Sequence, residues 1–459
     1  MILNKNSLAF FLLMFLVSCL QAQQNREVKK DSVKTEKLDE VVVTGQINPQ
    51  SVDQSVFEVK VIGRREIEKR AGVNLADLLN QTLNINVTPN LSNGRSGFEI
   101  FGFDGEYVKV LIDNVPLVNE NGYGNGADLT LINLDDVERI EIVEGSMGVQ
   151  YGANAVAAVI NIITKKSSKY ETEVSVYLQE ETAGSEYAIF EEGRHIQSFS
   201  ATHYFNDKLF LRVGALRNDF AGFFGDRLGE SHDDNDGLRG HTWLPKSQIN
   251  PNLMLNYADD NDFSVYYRFD YFNEVINRYN NSVNLNTNPS TDTDNPTAQD
   301  EEFDNNRFIH TVNAMGKINK ELSYNIIASY QSQQNDIERY TYVIRDDERQ
   351  NIENEEVLSR SAFFSRATLG NIFKTDNFNL QAGYEMNVEE GFADSSVLGI
   401  VESEEVRRES LNNYGAFLSS EYKFSDRFLI KPGFRTEFTN LFGPQFLVSL
   451  SSSYKFKND

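Results

Sequence analysis

Phe363-Phe364-Ser365-Arg366-Ala367-Thr368-Leu369-Gly370-Asn371-Ile372-Phe373 is followed by Lys374-Thr375-Asp376-Asn377 and then by Phe378-Asn379-Leu380-Gln381-Ala382-Gly383-Tyr384-Glu385-Met386-Asn387-Val388. Apolar and polar side chains alternate on both sides of a polar turn, the pattern of an antiparallel hairpin. Repetition makes it decisive. Beyond Lys169, segments of about 10–14 residues rich in Tyr, Phe, Val and Leu follow one another. They include Thr172–Gln179, Leu209–Leu216, Leu253–Tyr257, Phe263–Phe272, Ile309–Ile318 and Leu322–Tyr330. Tyr414–Phe424, Phe428–Phe438 and Phe446–Phe456 continue the series.

The connections alternate in length. Tight polar turns fall at Asn206-Asp207, Asp259–Asp262, Asn319-Lys320, Thr375–Asn377, Ser425-Asp426 and Lys457–Asp459. Long polar loops fall near 220–246, 275–305, 340–356 and 390–404. Short turns on one side and long loops on the other are the mark of a transmembrane barrel of the outer-membrane type. A soluble sandwich would show shorter strands and no such alternation.

Two strands for each tight turn give about twelve strands. Twelve strands spaced ~4.8 Å and tilted ~40° close into a cylinder roughly 24 Å across, with about 14 Å clear inside. The region before the strands predicts a compact mixed domain of about 115 residues, hence roughly 34 Å across. It does not fit within twelve strands, whereas twenty-two would leave the bore it needs. Either that domain lies outside a small barrel or the chain belongs to a longer one.

The mixed domain is expected over 51–168. Asn74 is placed to cap a helix with an apolar face of Leu75, Leu78 and Leu79. Val108–Ile112 reads as a strand ended by a turn at Asp113-Asn114-Val115-Pro116. Asn133 is expected to cap a second short helix through Val137, before a strand at Ile140–Val143. Val156–Thr164 closes the domain as a buried strand. Gly145, Gly148 and Gly152 match neither phosphate-binding spacing and read as tight turns.

Upstream, the apolar run Leu8–Leu20 behind Lys5 reads as a secretory signal over 1–22, and no apolar run reaches the ~20 residues of a membrane helix. Cleavage falls either after Ala22 or ahead of Cys19, which would then carry lipid. Cys19 is the only cysteine, so an internal disulfide and a thiolate metal cluster are both excluded. The net charge of −25 argues against a nucleic-acid partner.

Residues 23–50 read as a flexible tether carrying Leu38-Asp39-Glu40-Val41-Val42-Val43-Thr44-Gly45. Three consecutive valines in a solvated stretch are an aggregation hazard unless a strand is meant to pair with them. Two readings are open: a hook for strand addition by a partner, or a first strand docked on the next domain.

At this point the residues resemble a known family, the TonB-dependent outer-membrane receptors. Leu38–Gly45 resembles the family's energy-coupling box. Leu75–Leu79, Val108–Leu117 (VKVLIDNVPL) and Leu134–Lys166 (LDDVERIEIVEGSMGVQYGANAVAAVINIITKK) resemble successive blocks of its plug domain. The resemblance implies an α+β plug followed by an antiparallel transmembrane β-barrel over 169–459, with about 12 strands present of about 22 expected in the family. On that pattern the chain looks C-terminally truncated. Two departures stand out: Phe101-Gly102 where the family carries Arg-Gly, and Gly145-Ser146 where it carries Gly-Pro.

The resemblance further implies active uptake, across the outer membrane of a Gram-negative bacterium, of a metal chelate such as a ferric siderophore, or of cobalamin or haem. The implied partner is the TonB C-terminal domain, energised by an inner-membrane complex. It would pair in the periplasm with Asp39, Glu40, Val41, Val42, Val43 and Thr44. The alternative is a non-transporting surface-binding protein or an inactive fragment of such a receptor. No nucleophile–base pair or metal-ligand spacing supports an enzyme, and no cofactor or resident metal is expected. His232 and His241 share one external loop, and acidic runs at Asp233–Asp236, Asp292–Asp304 and Asp346–Glu348 read as solvated loop tips, with divalent-cation binding as the rival.

Overall fold

The computed structural model describes residues 41–456 apart from 83, 91–94, 119–125, 153, 183–185, 225–235, 320, 394–406 and 426. Leu38, Asp39, Glu40, the signal and the turn at 457–459 therefore lie outside the described residues.

The first part is built on a five-stranded mixed sheet. Its members are β3 (Val59–Gly63), β7 (Val108–Ile112), β8 (Val115–Pro116), β9 (Val137–Glu144) and β10 (Ala158–Thr164), in the order β3-β9-β10-β7-β8. β10 is buried along its whole length, because it is central and covered on both faces. Helix α1 (Arg64–Arg70) follows β3 directly, and α2 (Leu75–Leu79) lays Leu75, Leu78 and Leu79 into the core with Ile62, Ile140 and Ile160. The Asn74 side chain accepts from Asp77 N at 2.9 Å, the cap that its position predicts. β4 (Ile85–Asn90), β5 (Arg95–Ile100) and β6 (Phe103–Asp104) form a separate small sheet.

Asp113 and Asn114 both take positive φ, 51° and 66°, and form the two-residue turn joining β7 to β8. Such a turn suits a right-twisted hairpin and selects Asn and Asp. The helix expected after Asn133 does not form. Asn133 instead bridges to Asn74, and its side-chain amide donates to Asn250 Oδ1 at 3.0 Å. Its polar side chain is used for long-range pairing rather than for a local cap.

Residues 172–454 form one twelve-stranded antiparallel sheet in strict sequence order, from β11 (Thr172–Glu181) to β22 (Gln445–Tyr454). Between them run β12 (Arg194–Asn206), β13 (Leu209–Phe220), β14 (Lys246–Ala258), β15 (Ser264–Arg278) and β16 (Thr297–Lys317). β17 (Ser323–Val343), β18 (Glu348–Gly370), β19 (Phe378–Ala393), β20 (Arg407–Ser425) and β21 (Phe428–Thr439) complete the series. β12 was implied only by the turn at Asn206-Asp207 that ends it, and not by a segment of its own. β16, β17 and β18 run through much of the stretches expected to be loops at 275–305 and 340–356.

Neither small closed barrel nor external domain describes the arrangement. Among the described residues β11 and β22 do not pair, and one face of the sheet meets the first domain from Ile196 on β12 to Leu447 on β22. The sheet therefore forms a curved wall around the domain. Its inner face is polar and buried, with Arg212, Gln248, Asn250, Arg268 and Asp270. Its outer face is apolar and exposed, with Val213, Ile249, Ile326, Phe363 and Tyr384. Phe363 is 40% exposed while Phe364 is 1% exposed, so adjacent residues face opposite environments. This inversion of a soluble protein's polarity is what a lipid-facing wall requires.

The short turns follow the chemistry read from the sequence. Asn206 Oδ1 accepts from Lys208 N and Leu209 N, and Asn319 Oδ1 from Glu321 N and Leu322 N. Asp259 and Ser425 cap their turns in the same way. Rings gather at this end: Tyr422, Phe424, Phe428, Tyr454 and Phe456 form a continuous series with neighbouring centroids 4.6–6.4 Å apart. Such a girdle marks a membrane–water boundary.

Candidate functional site: the docked segment and the plug–wall seam

Of the residues expected to pair with a partner, Val41, Val42, Val43 and Thr44 lie among the described residues, and Asp39 and Glu40 lie outside them. In the structure the docked reading applies. β1 (Val41–Val42) pairs antiparallel with β2 (Gln50–Ser51), in the register Val41↔Ser51 and Val42↔Gln50. Val41 remains half exposed, but Val42 is fully buried among Val59, Leu111, Val143, Met147 and Tyr151. A tether running to residue 50 is thus corrected: from Val41 onward the chain is held, because burial of Val42 and a set of polar anchors outweigh its freedom.

The anchors converge on one carboxylate. Glu141 Oε2 accepts from Val43 N at 3.1 Å, Thr44 N at 2.8 Å and Thr44 Oγ1 at 2.6 Å. Its other oxygen accepts from Arg139 Nε at 2.8 Å. Thr44 Oγ1 also accepts from Asn161 Nδ2 at 2.9 Å, and Asn161 exchanges hydrogen bonds with Asn114. Gly45 N donates to the Tyr151 hydroxyl at 3.1 Å, and Gly45 O accepts from Lys431 Nζ of the wall at 2.7 Å. Burial pushes the Tyr151 phenol above its ordinary pKa, so it stays neutral and able to donate to Asn114 Oδ1. Further on, Asn48 pairs with Asn371 at the short-turn end of the wall.

The seam between domain and wall is charged on one side. Arg212 Nη2 lies 3.1 Å from Asp135 Oδ2, and Arg268 Nη2 lies 3.2 Å from Asp136 Oδ2. Arg307 Nη2 donates to Leu131 O at 2.8 Å. On the other side the charges are kept largely within the wall. Glu385 of β19 pairs with Arg366 of β18 at 2.7 Å and with Arg435 of β21 at 3.2 Å. There the domain offers the neutral Gln150 O, which accepts from Arg366 at 2.6 Å, and the Tyr151 ring, 5.0 Å from the guanidinium. Phe101 takes φ 51° and is 44% exposed.

Below the segment lies a cavity of about 810 Å³, lined by Gly45, Ile47 and Pro49 of the segment, by Asp113 and Lys166, and by Asn313 of the wall. Asp113 and Lys166 are ion-paired. Burial alone would raise the Asp113 carboxyl, but Lys166 and hydrogen bonds from Lys166 and Thr164 outweigh it and hold the pKa below the usual value.

Residues 51–159 match the model of the TonB-dependent receptor plug domain. These residues carry the plug domain of the TonB-dependent receptors. The chain is 33% identical over 137 residues to the vitamin B12 transporter BtuB of Vibrio vulnificus, covering 30% of this chain and 22% of that protein. A BtuB of Vibrio cholerae serotype O1 is 33% identical over 162 residues, covering 34% and 26%. The chain's fold matches the ferric enterobactin receptor PfeA of Pseudomonas aeruginosa with TM-score 0.68 at 17% identity, over 88% of this chain and 60% of that one. It also matches the siderophore receptor PirA of Acinetobacter baumannii with TM-score 0.65 at 18% identity, over 89% and 60%. The chain thus spans about a quarter of the curated relatives it matches and 60% of these solved structures.

Several of the described acidic loop residues are paired with arginines. Asp236 and Asp300 pair with Arg239, Glu301 with Arg278 and Arg339, and Glu302 with Arg349. Among the described residues no group of three acidic, His or Cys side chains is placed to hold a metal ion. His241 stacks on Phe224 with centroids 4.0 Å apart, and His232 lies outside the described residues.

Proposed function

We propose that this receptor carries out active uptake across an outer membrane, taking in a metal chelate such as a ferric siderophore, or cobalamin or haem. The plug held inside a wall of inverted polarity supports that reading. A wall apolar outside and polar inside suits lipid on one face and a hydrated passage on the other, and the plug occupies that passage. The names of the relatives, vitamin B12 transporters and siderophore receptors, favour bulky chelates as the substrate class.

The coupling step falls to Asp39–Thr44. Val41–Val42 has the backbone character of a strand, and its docked place at the short-turn end, the end expected in the periplasm, supports that role. The TonB C-terminal domain, energised from the inner membrane, would add its own strand there and pull. Asp39 and Glu40 would help select that partner.

Val41→Pro tests the coupling with little disturbance of packing, since Val41 is half exposed and proline removes a ladder donor. Cells expressing the variant should bind labelled cyanocobalamin or ferric enterobactin, whichever the unmodified receptor takes up, yet fail to accumulate it. Undiminished accumulation would overturn the coupling role.

A further inference from the structure

Glu141 occupies a costly place. It lies in the middle of β9, a strand packed between β3 and β10, and it is wholly buried. A buried carboxylate is tolerated only when donors satisfy it. Among the described residues four donors reach Glu141, and three of them belong to Val43 and Thr44. The fourth, Arg139, is its neighbour on the same face of β9. The plug thus carries a negative charge whose solvation depends mainly on the coupling segment being in place.

We propose that Glu141 is the latch that controls access to the coupling segment, holding Val43 and Thr44 docked until the plug shifts. The inference rests on the coupling role proposed above. The dependence runs both ways: the segment cannot leave without stripping three charge-assisted hydrogen bonds from Glu141, and Glu141 cannot move without releasing the segment. The latch is also tied to the plug's wall contacts. Thr44 Oγ1 accepts from Asn161, Asn161 exchanges hydrogen bonds with Asn114, and Asn114 adjoins β8. Pro116 O and Val118 N, at and just beyond β8, bond to Gln331 of the wall. A displacement of the β7–β8 turn is therefore in physical contact with Thr44.

Glutamine cannot replace the latch. Its oxygen serves one side only, and its amide then points a donor at either Arg139 or the segment's N–H groups. Thr44→Val removes the hydroxyl and leaves the carboxylate in place.

The test uses Val42→Cys as a probe in the full-length receptor in its own membrane, with labelling of Cys19 measured in parallel and subtracted. Val42 is fully buried while docked, so maleimide reaches its replacement only on release. Adding Glu141→Gln should raise the labelling rate about ten- to a hundredfold, as expected for loss of one charge-assisted hydrogen bond. Thr44→Val should raise it about tenfold. A Leu129→Cys probe, equally buried in the plug core, should not change with either substitution if the effect is release rather than unfolding. Unchanged Val42→Cys labelling in both variants, or a parallel rise at Leu129→Cys, overturns the latch. Faster labelling without stronger binding of purified TonB C-terminal domain would support the latch and overturn the coupling role.

Discussion

Arg212 of the wall and Asp135 of the plug form an ion pair, 3.1 Å apart, in which both side chains are nearly inaccessible to water. Beside them Arg268 and Asp136 repeat the arrangement. Removing one partner of a buried pair costs about 3–5 kcal/mol, because the other charge is left uncompensated. Arg212→Leu should therefore loosen this side of the plug. Amide hydrogen exchange should quicken around Leu134–Val137 and remain unchanged around Gln150, where the neutral contact lies.

Acid should act in opposite senses on two plug carboxylates. Asp113 has a folded pKa below its unfolded value. Its contribution is present above the unfolded pKa, near 3.8, and is lost as pH falls through the lower folded value. Asp135 has a folded pKa raised by burial and by Asp136 against the pull of Arg212, so its contribution has the opposite slope and falls as pH rises through the folded value. Asp113→Asn should cost about 1.5–3 kcal/mol at neutral pH and flatten the acid limb of plug stability, followed by hydrogen exchange on β10.

Ile326 and Ile327 are neighbours on β17 with opposite fates. Ile326 faces outward at 46% exposure, and Ile327 packs on Val115 and Phe364. Ile326→Arg should cost about 2–4 kcal/mol if that face meets lipid near the bilayer centre. The yield of heat-modifiable, membrane-assembled receptor should fall; a normal yield would show that the face meets water.

Gly45 takes φ 71°, and a Cβ there would collide with the Met147 side chain. Gly45→Ala should free the segment through backbone strain of about 1–2 kcal/mol plus the clash. Protease should cut between Val43 and Pro49 faster than in the unmodified receptor, while β9 and β10 stay protected.

The fold was readable where local chemistry carries it. Asn206, Asp259, Asn319 and Ser425 bond to backbone within a few residues, so their turns are written in single side chains. β12 was hidden because His195, Gln197, Ser198, Ser200 and Thr202 put polar groups on both faces, leaving little alternation. The first six residues of β16, Thr-Ala-Gln-Asp-Glu-Glu, read as loop for the same reason, and their strand form depends on pairing with β17. Val41–Val42 was visible as strand-forming, and its docking stood as one of two open readings. The residue that holds it was not visible, because Glu141 lies 97 residues beyond Thr44 and nothing local to either signals the contact.

The hollow beneath Gly45–Pro49 gives the docked stretch a second consequence. Those residues are also part of the chamber's boundary, so drawing them away enlarges an opening already the size of a small-molecule binding cleft. Traction on a single strand would then begin to clear a way out before the central sheet of the plug had to unravel.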